Sequence, residues 1–279
     1  MACASPFLAR GLGLLLLLAE LAACLPDDTR PPPGRLAVTV TADDDMSSGI
    51  TTSDGWEIAF DRFWLSLGEV RIVDERCNSY AEGYYVRILD MLVPGPQTVA
   101  TLHALGQCEL GFVLVSPPGS GEDVVLGSGV GADVATFMGT AGSDAFVDNG
   151  RVVLHVEGTA TRSGTTITFS WSFRQTLDYL CDTIDFQSGE SRTADIRIRG
   201  RALFQDDLDD ATARLRFDPY AGADRDGDDD ITLDELGTVS LPVGGSFETL
   251  AGHLYLGLVA RVPRFRDEAT CFVGEIAAD

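Results

Sequence analysis

The chain has 279 residues and carries 20 basic against 43 acidic side chains, a formal net charge of −23. A field of that sign repels phosphate backbones and anionic lipid, so nucleic acid is excluded as a partner and charge-driven docking on a bilayer is disfavoured. Hydrophobic residues make up 45% and charged residues 23%, enough for a packed core, and three histidines leave little room for multi-histidine metal sites.

The N-terminus reads as an address. Arg10 precedes nine uncharged residues, Gly11 to Ala19, which suit a signal h-region and are too few to span a bilayer. Leu21-Ala22-Ala23-Cys24 follows and resembles the bacterial lipobox, in which the Cys is acylated and becomes the new N-terminus. Glu20 departs from that pattern, and plain secretion after a cut near Ala23 is the alternative. The resemblance implies a signal peptide over 1–23, a lipid on Cys24 and membrane attachment through it. Leu25 in place of Asp resembles the outer-membrane sorting class, which implies a cell-envelope location. Residues 24–34 contain three consecutive prolines and predict an extended tether.

From 35 to 205 most segments read as strands. Leu36 to Thr41 alternates, and Trp56 to Val73 reads as two strands with a bend near Asp61 or Gly68. Weaker strands are predicted over Val86 to Leu92 and Gln97 to Leu105, and a stronger one over Leu110 to Val115. A short helix is expected near Asp133 to Met138. Arg151 to Gly158 and Thr165 to Arg174 form the best hairpin, with Ser163-Gly164 at its turn. Thr193 to Leu203 adds a strand. One apolar face per strand implies antiparallel sheets packed face to face, so the predicted fold is a mainly-β antiparallel sandwich.

Four cysteines follow the tether: Cys77, Cys108, Cys181 and Cys271. An even number in an exported chain implies disulfides, with three connectivities open. Cys77–Cys108 and Cys181–Cys271 are favoured, because neighbours in sequence tend to be neighbours in space.

Beyond Asp206 the character changes. Twelve acids and three arginines fall between Asp206 and Glu235. Residues 206–279 are expected to supply an ion-binding loop and a helix, Ser246 to Val262, with Phe247, Leu250, Leu254, Leu258 and Val262 on the face that packs on the strands. Within that stretch, Asp224 to Glu235 resembles the EF-hand calcium loop. Counting Asp224 as position one, Asp226 stands at three, Asp228 at five, Asp230 at seven, Ile231 at eight, Thr232 at nine and Glu235 at twelve. The resemblance implies a calcium ion held by carboxylates of Asp224, Asp226, Asp228 and Glu235 and the carbonyl of Asp230, with Thr232 adding a direct or water-mediated contact. Position six, normally Gly, is Asp229, which predicts a strained turn and weakened affinity. Only one such loop is present, and its short flanks suit a structural rather than a sensor role.

Other signals are weaker. Asp43, Asp44, Asp45 and Asp54 read as solvated loop acids, with a second ion site as the lesser reading. Gly127 to Ala132 fits GxGxxA but reads as a turn. His103, His155 and His253 read as surface or packed residues, and Trp56, Trp64, Trp171, Tyr84 and Tyr85 as mainly core rather than a sugar platform. No GxSxG, HExxH or CxxC occurs. The expectation is a non-enzymatic, calcium-binding envelope lipoprotein of structural or binding role, its protein or glycan partner unreadable. The alternatives are a calcium-stabilised secreted hydrolase and a carbohydrate-binding adhesion module.

Overall fold

Alternating apolar residues build the body of the protein. In β1 (Gly34–Ala42), Leu36, Val38 and Val40 are buried on one face. The computed structural model describes residues 30–73, 77–81, 85–119, 124–241, 247–265 and 271–275; the signal segment, Cys24 and Tyr84 lie outside them. A turn of helix, α1 (Asp45–Ser48), and a two-residue strand, β2 (Ile50–Thr51), lead into β3 (Glu57–Ile72). β3 is one strand where the sequence predicts two. It bends where the breaks were expected, with register shifts between Phe60 and Arg62 and between Gly68 and Arg71.

β4 (Asn78–Ala81) and β5 (Val86–Asp90) precede β6 (Gln97–Leu114), which unites the two strands predicted over 97–115. β6 is the hinge of the architecture. Its first half pairs with β1 and β4, and its second half with β3 and with β10 (Leu177–Phe186). Gly106 sits between the halves at a φ of 97°, a conformation open to glycine. The result is a mainly-β protein in which the described residues form one curled, mixed fourteen-stranded sheet. This differs from the expected antiparallel sandwich: β6 belongs to both halves, and among the described residues three strand pairs run parallel. These are β1 with β11 (Ser191–Ile198), β5 with β7 (Val124–Leu126), and a short pair at the acidic loop.

The helix α2 (Ala132–Gly139) lies where expected, and the hairpin β8 (Leu154–Arg162) to β9 (Thr165–Phe173) turns at Ser163-Gly164 as predicted. The GxGxxA segment leads from β7 into α2. The next strand, β8, is antiparallel to its neighbours, so no βαβ unit forms. The strand predicted over 193–203 stops early: after β11, Gly200–Phe204 is a 3-10 turn that drives Leu203 and Phe204 into the core. Both disulfides have the favoured connectivity, Cys77–Cys108 and Cys181–Cys271, a pattern of oxidising compartments.

The C-terminal helix begins at Leu250 and runs as α to Gly252, π over His253–Leu258 and 3-10 over Val259–Arg261. It is not the amphipathic helix expected: all but Leu256 and the last two residues are buried, so Leu250, Leu254, Tyr255, Leu258 and Val259 pack almost all round. β13 (Pro263–Phe265) and β14 (Phe272–Glu275) then pair with β11 and β10. Residues 33–279 form one compact unit, so the acidic segment shares its core with the strands. Among the described residues, no helix is long and apolar enough to cross a membrane.

Candidate metal centre

The acidic loop is pinned at both ends before any ion is considered. At its entrance, Phe217 and Tyr220 are buried against Phe204, Phe169 and Trp171, fixing the helical turn α3 (Asp218–Ala221). The carboxylate of Asp54, from the turn before β3, accepts from the amides of Phe217 and Asp218 at 2.9–3.2 Å and from the Thr52 hydroxyl. Trp56 Nε1 donates to Asp218 at 3.0 Å, and Arg162 pairs with the same carboxylate while lying over the Trp56 ring. At the exit, Thr232 and Glu235 form a capping box on the turn α4 (Leu233–Leu236).

Between these ends, the two-residue strand β12 (Asp230–Ile231) adds to β9 in parallel, with Asp230 opposite Thr168 and Ile231 opposite Phe169. β9 thereby anchors the middle of the loop. Trp171, fully buried, donates its indole N–H to the Ile231 carbonyl at 2.9 Å. Asp229 stands at φ 61°, in the left-handed region. Its carbonyl accepts from Thr168 N–H at 2.8 Å, so β9 holds the turn that a non-glycine residue resists.

The carboxylates gather inside this frame. Asp224, Asp226 and Glu235 each bring one oxygen within 4.8 Å of the others. Asp224 also accepts from the amides of Gly227 and Asp229, and Asp228 from that of Asp230. Asp228 stands outside the group of three. The Asp230 side chain accepts from Thr168 Oγ1 at 2.7 Å and so turns toward β9. Negative charge is in excess: the neighbouring Asp228 carboxylate first, then a slight loss of hydration, then Glu235 and Asp224 raise the pKa of the exposed Asp226 above the usual carboxylate value.

The other acids have different partners. Asp43 faces Arg197 and Asp45 faces Arg201, and burial raises the pKa of both carboxyls. Asp54 is taken up by two amides, and among the described residues it is not gathered with Asp43 and Asp45 into a ligand cluster. Burial opposes ionisation of Asp54, but hydrogen bonds from Thr52, Asp218 and Phe217 outweigh it and its pKa falls below 3.8. A depressed carboxyl pKa adds stability above its unfolded value and loses it as the pH falls through the folded one. Asp54→Asn is therefore expected to cost about 1.5–3 kcal/mol at pH 7, with a smaller deficit at pH 3, as read from urea melts at both.

Of the suggested platform aromatics among the described residues, Trp56 and Trp171 are buried, Trp64 is half-buried and Tyr85 is exposed. Sequence reasoning missed the clamp formed by Asp54, Trp56 and Arg162, because its members lie more than a hundred residues from the loop entrance or on another strand. The alternation of Trp171 with Phe169 gave burial but not the indole's partner.

Fold and site together define a mainly-β, twice disulfide-bonded domain with one acidic twelve-residue loop seated on a sheet strand. No protein-family model and no curated protein matches the chain. Among solved structures it is similar to MbnP from Methylosinus trichosporium, with a TM-score of 0.35 and 12% identity over 63% of this chain and 78% of that one.

Proposed function

We propose that the protein is a calcium-binding, membrane-anchored extracytoplasmic lipoprotein, and that the ion serves a structural or binding role by stiffening the C-terminal third. The observation that carries this reading is the convergence of Asp224, Asp226 and Glu235 within 4.8 Å, in a loop whose ligand spacing resembles the EF-hand. Calcium is a hard cation that takes six to eight oxygens. Here it draws on those three carboxylates, on Asp228, on the Asp230 carbonyl, and on Thr232 directly or through water. Bound there, it offsets the repulsion that the clustered carboxylates otherwise bear. The pinned ends supply preorganisation, which lowers the ordering cost of binding.

The anchor rests on the resemblance of Leu21 to Cys24 to a lipobox. An extracytoplasmic location draws support from the two disulfides, and calcium outside cells fills even weak loops, with affinities of about 10⁻⁴ to 10⁻³ M. Thermal melts test the reading. Calcium at about 10 mM is expected to stabilise by about 1.4–2.7 kcal/mol and raise the Tm by about 3–10 °C. Equal magnesium is expected to do much less, and Asp224→Asn to abolish the shift. An unchanged Tm overturns the reading. Palmitate labelling that is lost in Cys24→Ser tests the anchor separately.

A further inference from the structure

The registers of β3, β8 and β9 align two rows of side chains across the sheet, on the face opposite the aromatic core. Trp64, His155 and Ser172 stand opposite one another in one row; Arg62, Glu157 and Ser170 stand in the next. His155 is 3% exposed. Its ring lies 5.3 Å from that of Trp64 and 4.7 Å from that of Phe137, which reaches over from α2. Both ring nitrogens are engaged: Nε2 stands 3.0 Å from Glu157 Oε1, and Nδ1 stands 2.9 Å from Ser172 Oγ. Arg62 pairs with the same glutamate.

These contacts fix the tautomer. A carboxylate accepts only, so Nε2 carries the proton and donates it to Glu157. Nδ1 is then bare and accepts from the Ser172 hydroxyl. The order is hydroxyl to imidazole to carboxylate, the order of groups behind an activated serine, with the two ring nitrogens exchanged relative to the Ser-His-Asp arrangement. Burial lowers the imidazole pKa from 6.5, with Glu157 pulling it up and Arg62 down, so the ring is a neutral base at pH 7. Ser172 is half-buried at the margin of the cluster, and Phe137, 42% exposed, gives the site an apolar flank.

We propose that Ser172 is a nucleophile for acyl transfer from small carboxylic esters with an apolar or aryl group, with His155 as its base and Glu157 as the positioning residue behind it. Ser172 Oγ bonds to the ester carbonyl carbon as its proton passes to Nδ1. The tetrahedral adduct collapses with cleavage of the bond to the leaving oxygen, which takes that proton and departs as the alcohol. Water, deprotonated by the same Nδ1, releases the carboxylic acid and restores the serine. The inference is independent of the calcium reading.

The test is labelling of the full chain with an aryl fluorophosphonate, mapped by mass spectrometry, alongside hydrolysis of p-nitrophenyl acetate. One adduct is expected, on Ser172, absent in Ser172→Ala and unchanged in Ser170→Ala, whose hydroxyl faces the same solvent without an imidazole. His155→Gln is expected to slow labelling about 100-fold or more. Against pH, the wild-type rate rises as an imidazole whose pKa burial holds below 6.5 loses its proton, and it levels off once the ring is neutral. Removing the negative charge in Glu157→Gln moves that rise to lower pH, which a merely structural role does not do. No adduct on Ser172, equal labelling in His155→Gln, or a wild-type rate that climbs with hydroxide and never levels overturns the proposal. If His155→Gln does not fold, the wild-type pH profile alone decides.

Discussion

Trp171→Ala is expected to lower the unfolding free energy by about 3–5 kcal/mol, the range for removing a fully buried large aromatic, and to weaken calcium binding with it. The indole is 0% exposed and packs 4.6 Å from Phe169, 5.6 Å from Tyr220 and 6.1 Å from Phe204, measured between ring centres. Its removal opens a cavity where the hairpin, the 3-10 turn and the loop entrance meet. It also leaves the buried Ile231 carbonyl without the indole donor. Trp171→Phe separates the two effects, since the ring stays and only the donor goes; its cost is expected at about 1–3 kcal/mol. Urea melts in calcium and in chelator measure both variants. If Trp171→Ala lost less than about 1 kcal/mol, the loop and the hairpin would not share a core.

The second large effect is covalent. Cys181 lies on β10 and Cys271 just before β14, and the bridge closes a loop of 90 residues that includes the acidic segment and the C-terminal helix. Loop-closure entropy for that length puts the loss in Cys181→Ser/Cys271→Ser at about 4–5 kcal/mol, against about 3–4 kcal/mol for the 31-residue loop of Cys77–Cys108. Non-reducing denaturant melts of the two double variants are expected to rank in that order. A deficit under about 1 kcal/mol for the longer bridge would mean that the unfolded chain is no freer without it.

Much of this was legible in the sequence because it is local. Period-two alternation located β1, β3 and the β8–β9 hairpin, and Ser163-Gly164 located its turn. The twelve-residue spacing picked out the stretch in which Asp224, Asp226 and Glu235 converge, and Asp229 in place of glycine foretold its left-handed backbone. What escaped was non-local. Nothing near Gln97 to Leu114 says that one strand serves both halves of the sheet, and nothing near Ser191 says that it pairs in parallel with β1. The apolar stripe from Leu250 to Val262 reads as one face of a helix, but that helix is covered almost all round by residues distant in sequence. Asp54 read as a loop acid because its amide partners lie 163 and 164 positions away. The approach of His155 to Ser172 follows from the hairpin register, which the turn fixes but which no motif announces.

The acidic loop remains the centre of the account, and isothermal titration of calcium into the chelator-treated protein tests it most directly. One site is expected, with a dissociation constant of about 10⁻⁴ to 10⁻³ M, tighter in Asp229→Gly, where the left-handed turn costs less, and lost in Glu235→Gln. A wild-type titration indistinguishable from that of Glu235→Gln would contradict the account.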